Sequence, residues 1–176
     1  MSRYIGHFEI IPRARRAKEA IRAIRRRSKQ FKEAVRGGDV ARMQSVSVGA
    51  WDALTNLFET LRNERDHRYL NDADLSNSVG LLVQPATQQE QASMAAAHRI
   101  DRSHVHCAPL SLREALNKLG HYNATLSTYR IDGRGAHFLV LGGRQRNQNW
   151  LAEILVSRLC YEAMAAAKAI RQFPRP

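Results

Sequence analysis

The sequence predicts an α+β domain that is mainly helical, with a long antiparallel helix hairpin first and a small antiparallel sheet near the C-terminus. Three features point there. Apolar residues recur at helical spacing through residues 12–66, broken once at Gly37-Gly38-Asp39. After residue 123 the pattern changes to two β-rich runs around an Asp-Gly turn, and helical spacing returns from Ser157. At 176 residues the chain is long enough for one hydrophobic core, so a single domain over 1–176 is expected.

The first helix is expected over about 12–36. Pro12 suits its first turn, Gly37-Gly38 ends it, and Ala17, Ile21, Ile24, Phe31 and Val35 form its apolar stripe. Asp39 is a candidate N-cap for a second helix over about 39–66. Its positions Val40, Met43, Ser47, Ala50, Trp51, Leu54, Leu57, Phe58 and Leu61 follow an i, i+3, i+4 rhythm with one serine tolerated, and Trp51 and Phe58 are read as core. So short a connection between long helices predicts antiparallel neighbours. Residues 71–84 turn from polar to apolar, and Pro85 to Arg99 suit another helix. The stretch from Ile100 to Leu110 reads as irregular or briefly extended. Ser111 caps a short helix with Leu112, Ala115, Leu116 and Leu119 inward. A β-hairpin follows over about 124–143, turning at "DGRG". "NWLAEILV" is a candidate third strand, and a C-terminal helix is expected over about 157–172.

Charge is the chain's most distinctive property. The formal net charge is +12 and the pI about 10.6; of 28 basic residues, 23 are arginine and 5 lysine. Arginine's planar fork grips phosphate and stacks on bases, which suits RNA or DNA as a partner. A GC-rich genome also raises arginine over lysine, but it does not produce the net charge. The first helix concentrates the excess. Arg15, Arg22, Arg25, Arg26, Arg27, Lys29 and Lys32 are the candidate nucleic-acid-binding residues, with few acids to offset them.

No run approaches the roughly 20 apolar residues of a membrane span. The N-terminal stretch lacks an apolar export core, so a cytoplasmic protein with Cys107 and Cys160 as free thiols is expected. His98, His104, His106, Cys107 and His121 are near one another in sequence but have no metal-site spacing, so no metal or other cofactor is expected. "LGGRQRNQN" lacks the Gly-Lys-Ser/Thr of a nucleotide-binding loop and reads as a strand-connecting turn.

Two stretches carry candidate chemistry. Metal-free RNA cleavage needs a base for the 2′-hydroxyl proton and a cation for the phosphate, and histidine with arginine supplies both. Arg62-Asn63-Glu64-Arg65-Asp66-His67 resembles the R-N-x-x-x-H motif of HEPN ribonucleases, and Arg68-Tyr69 resembles the H-x-Y extension of HEPN toxins. The resemblance implies a helical HEPN-like scaffold and a site often formed between two protomers, hence a homodimer. In it Arg62 would hold phosphate, Asn63 would position, His67 would act as acid and base, and Tyr69 would support. On a regular helix Arg62 and His67 would stand about 140° apart, so the helix must end or bend near Asp66 for them to cooperate. The second stretch, "SLREALNKLGHYN", resembles a segment of small bacterial and plasmid-borne HEPN-like proteins, L-R-E-A-x-N-K-x-x-H, leading into strands and a G…W segment here matched by Gly142-Gly143 and Trp150. Arg113, Asn117 and His121 would share one helical face within about 80°. Leu116 stands where the ribonuclease motif has arginine.

Two functions are expected from these readings. One is a metal-independent endoribonuclease of a toxin–antitoxin, plasmid or phage-defence system, with RNA as substrate and an antitoxin or acidic protein as partner. The alternative is a non-catalytic RNA- or DNA-binding protein on a degenerate HEPN-like scaffold, using its arginine-rich helix.

Overall fold

The computed structural model describes residues 14–171. Its helices and strands run α1 (Ala14–Gly37), α2 (Val40–Asp66), β1 (Ser78–Ala86), α3 (Gln88–Ala96), β2 (Cys107–Ser111), α4 (Leu112–Leu119), β3 (Tyr122–Ile131), β4 (His137–Gln145), β5 (Gln148–Leu155) and α5 (Val156–Ala169). The class is α+β. Pro12, expected in the first turn of α1, lies outside the described residues. None of the described helices is long and apolar enough to cross a membrane.

α1 ends where glycine permits it to. Gly38 takes φ +64, a conformation costly for other residues, and Asp39 then accepts the Arg42 amide at 2.9 Å to start α2. Alanines let the two helices approach: Ala17, Ala20 and Ala53 are buried with Ile21, Ile24, Leu54, Leu57 and Leu61. Each fully buried leucine or isoleucine contributes roughly 1.5–3 kcal/mol, so this seam fixes both helices far more than local propensity does. Val35, expected in the apolar stripe, is exposed because it lies beyond the end of the sheet-facing core.

The sheet is larger than the sequence suggests. Five antiparallel strands take the order β2-β1-β5-β4-β3, so pairing begins at residue 78 rather than near the C-terminus. β1 and β2 are additions to the expected hairpin and third strand. The expected 85–99 helix is shorter: α3 begins only after Thr87, which forms a capping box with Glu90. The last helix runs Val156–Ala169 instead of reaching 172.

Both faces of the inner strands β1, β5 and β4 are buried. Leu139, Leu141, Trp150, Ala152 and Ile154 meet the four helices α1, α2, α4 and α5, whereas Val83, Val140 and Leu151 meet Met94 and Ile100 on the α3 side. Alternation along β4 and β5 explains this division. Gly142 and Gly143 do not form a loop. They lie inside β4, and a Cβ on Gly143 would come 2.5 Å from Trp150, its cross-strand partner. The β4–β5 turn is instead Arg146-Asn147, both at positive φ, the signature of a two-residue type I′ hairpin. At "DGRG" the left-handed residue is Gly135, and the Asp132 carboxylate accepts the Arg134 and Ala136 amides. Cys107 and Cys160 are free, and burial pushes the Cys160 thiol up to about 11.

Candidate nucleic-acid interface

α1 holds ten basic residues and two acids, and both acids pair with cations outside its outer flank. Glu19 pairs with Arg15 at 2.9 Å, and Glu33 reaches across to Arg42 at 3.3 Å. Lys18, Arg22, Arg25, Lys29, Lys32 and Arg36 are spaced by alternating steps of four and three. At about 100° per residue they fall within an 80° sector, and over 18 residues the stripe is about 27 Å long. Among the described residues none of the six has an acidic partner. Arg25 marks where the stripe meets α5, donating to the Cys160 carbonyl at 3.4 Å. Tyr161, next along α5, is exposed.

The seven residues expected to bind nucleic acid therefore separate. Arg22, Arg25, Lys29 and Lys32 lie in the open stripe. Arg26 and Arg27 line the groove between α1 and α2, opposite Asp52 and Glu59. The Arg27 guanidinium fills the space beside Gly49, where a Cβ would come 2.8 Å from Nε, and it donates to Gln30 at 3.3 Å. Arg15 is paired with Glu19. Lys18 and Arg36, the two ends of the stripe, were not among the expected residues; the same periodicity extended by one turn each way would have included them.

α2 does end at Asp66. His67 caps it, and Arg68 adopts φ +62 as the chain reverses. His67 Nδ1 lies 2.9 Å from the Asn63 carbonyl oxygen. A carbonyl only accepts, so Nδ1 donates, and in the neutral ring Nε2 then holds the lone pair. Arg62 turns elsewhere, its Nε 3.6 Å from Asp66 and its guanidinium 5.7 Å from the Phe58 ring centroid. The adjacent Arg65 and Arg62 hold the Asp66 carboxyl below its ordinary range, Arg65 most strongly. Asn63 lines the α1–α2 groove. Tyr69 is held by its backbone, its amide donating to the Glu64 carbonyl.

The second candidate set is spread out. Ser111 caps α4 as expected, with a capping box to Glu114. Arg113 pairs with Asp72 at 2.9 Å and shares a cavity of about 450 Å³ with Arg65 and Arg68 at the end of α2. Asn117 lines a different cavity with Lys118, Gln84 and Gln145. His121 is exposed beyond the helix, where its amide donates to the Lys118 carbonyl. The structure thus brings α4 to the end of α2, but the arginines that meet there are Arg65, Arg68 and Arg113. Among the described residues no three His, Cys, Asp or Glu side chains converge as a metal site; His104 instead approaches Glu90 at 3.4 Å.

Comparison with protein-family models, curated proteins and solved structures returns no match.

Proposed function

We propose that this protein binds nucleic acid, RNA or DNA, along the phosphate backbone through the outer flank of α1. The observation that carries the reading is the 27 Å stripe of six cations with no acid in its sector, on a helix whose only two acids are engaged elsewhere. A solvated helix face that serves no partner ordinarily interleaves the two signs. In this reading the long helices form a HEPN-like antiparallel hairpin that presents the stripe, in a cytoplasmic homodimer. The test is a fluorescently labelled 20-nucleotide RNA titrated with protein in low salt and followed by anisotropy, with unlabelled RNA and DNA as competitors. Saturable binding, reversed by either competitor, is expected; an anisotropy that stays flat at micromolar protein rejects the reading and leaves the stripe to an acidic protein partner such as an antitoxin.

A second reading is favoured by one feature, the orientation of His67. With Nδ1–H donating to the Asn63 carbonyl, Nε2 is free to take a 2′-hydroxyl proton. The 2′-oxygen would attack phosphorus as the bond to the 5′-oxygen breaks, and His67 would pass the proton it took to that leaving oxygen, giving a 2′,3′-cyclic phosphate and a 5′-hydroxyl. Arg62 would have to exchange Asp66 for the phosphate, an inexpensive step because an exposed ion pair is worth about 0–1 kcal/mol. This would make the protein a metal-independent endoribonuclease of a toxin–antitoxin or phage-defence system. RNA incubated with wild type and His67→Ala in EDTA tests it. Cleavage by the wild type alone supports the chemistry, and intact RNA in both leaves binding without catalysis.

A further inference from the structure

The sheet face away from α1 carries a cleft of about 770 Å³, between α3 with the segment that follows it and the strands β3 and β5. Its floor holds a buried acid, Glu153, only 3% exposed in the middle of β5. One carboxylate oxygen accepts from Arg102 at 3.2 Å and the other from Arg130 at 2.9 Å. Arg130 is further fixed by donating from Nε to the His98 carbonyl at 3.0 Å and by lying 4.3 Å over the Phe138 ring. Two guanidinium groups are thereby held in place before any ligand arrives, which lowers the ordering cost of binding.

The charges in the cleft look balanced, but the acids are already engaged. Glu90 caps α3 through Thr87 and meets His104. Asp101 accepts the Ser103 amide and hydroxyl at 2.9 and 2.7 Å. Glu153 is taken up by the two arginines. The unassigned groups are donors: Nε and Nη1 of Arg102, Nη1 of Arg130 and the Arg99 guanidinium make no hydrogen bond among the described residues, Arg99 meeting Asp101 through its charge alone. Exposed Ala97, with the outer edges of the nearly buried Met94 and Ile100, supplies an apolar side. A convergent set of guanidinium forks beside an apolar wall, in a cleft of a size that encloses small organic ligands, suits a phosphate group attached to a flat body.

The geometry points to a binding site for a nucleoside monophosphate, with the phosphate on Arg99, Arg102 and Arg130 and the base against Ala97 and the outer edges of Met94 and Ile100. The site is separate from α1 and does not depend on the reading given to it. β1 closes against its floor with no room to spare: a Cβ on Gly80 would lie 2.0 Å from the Glu153 carbonyl oxygen, so β1 and β5 meet there only through glycine.

Isothermal titration with AMP, GMP, CMP and UMP, alongside inorganic phosphate and adenosine, tests the assignment. At least one nucleotide should bind with a sub-millimolar Kd, more tightly than phosphate or adenosine alone. Arg102→Gln should weaken it at least tenfold, and because it leaves one oxygen of the buried Glu153 without its partner it should also lower Tm. Arg99→Gln provides a second variant with no buried partner. Arg22→Gln, on the α1 stripe, should leave the affinity unchanged. Three results would overturn the proposal: no nucleotide binding at millimolar concentration, equal binding of inorganic phosphate, or binding that is lost in Arg22→Gln and kept in Arg102→Gln.

Discussion

Replacing His137 with phenylalanine should remove most of the protein's sensitivity to mild acid. His137 opens β4 and is buried. Its Nδ1 lies 2.8 Å from the Ser28 hydroxyl, its ring stacks on Phe31 at 5.0 Å, and its Nε2 has no hydrogen-bond partner. Burial, with the Lys32 charge nearby, pushes the imidazole down to about 4 from 6.5. Between those values the unfolded chain binds the proton and the folded chain does not, so stability falls as pH drops. The loss begins near pH 6.5 and levels off near pH 4. At about 1.4 kcal/mol per pH unit, lowering the pH from 7.5 to 5 costs about 2 kcal/mol, an upper value because Ser28 is only half buried. At pH 5 the exposed carboxylates of Asp66, Asp101 and Asp132, all held below their ordinary range, are still ionised. Urea unfolding of wild type and His137→Phe at both pH values measures the effect. Phenylalanine keeps the stacking and cannot titrate, so the wild type should lose about 2 kcal/mol more than the variant. Equal losses would refute the reasoning.

Other substitutions test the fold more simply. Gly80→Ala drives a Cβ into the Glu153 carbonyl, so β1 and β5 must separate locally; a cost of about 3 kcal/mol, read as a Tm drop of roughly 6–12 °C, is expected. Arg68→Gly relieves a left-handed residue at the end of α2 and should raise stability by about 0.5–1 kcal/mol in urea melts. Ser111→Ala removes the α4 cap and should cost about 1 kcal/mol by the same measurement.

The helices were legible where local chemistry set their ends. Gly38 and Asp39 marked the α1–α2 break, Ser111 marked α4, and Thr87-Gln88-Gln89-Glu90 held a capping box that would have moved the start of α3 to its observed place. β1 was hidden because the sheet buries it from both sides, so its apolar run lacks the alternation that identifies a half-exposed strand. The bulge between Ser78 and Gly80 disturbs that alternation further, leaving Val79 and Leu82 in the same core cluster. β2 is only five residues long and includes Pro109, acceptable on an edge strand and uninformative in sequence. The cation stripe could be read from spacing alone. The cleft beneath α3 could not, since Arg102, Arg130 and Glu153 are distant in sequence and meet only where the segment after α3 folds over strands β3 and β5. An acid set within the apolar run "WLAEILV" was its one local sign.

A phosphate backbone bound by the six cations of α1 displaces counterions, so the affinity must fall steeply with salt. Affinity for a single-stranded RNA should be measured across roughly 50–200 mM salt for wild type and for the triple variant Arg22→Gln, Lys29→Gln, Arg36→Gln. Six phosphate contacts predict a log–log slope of about −4, and removing three should bring it to about −2. A slope left unchanged by the three substitutions would contradict the account.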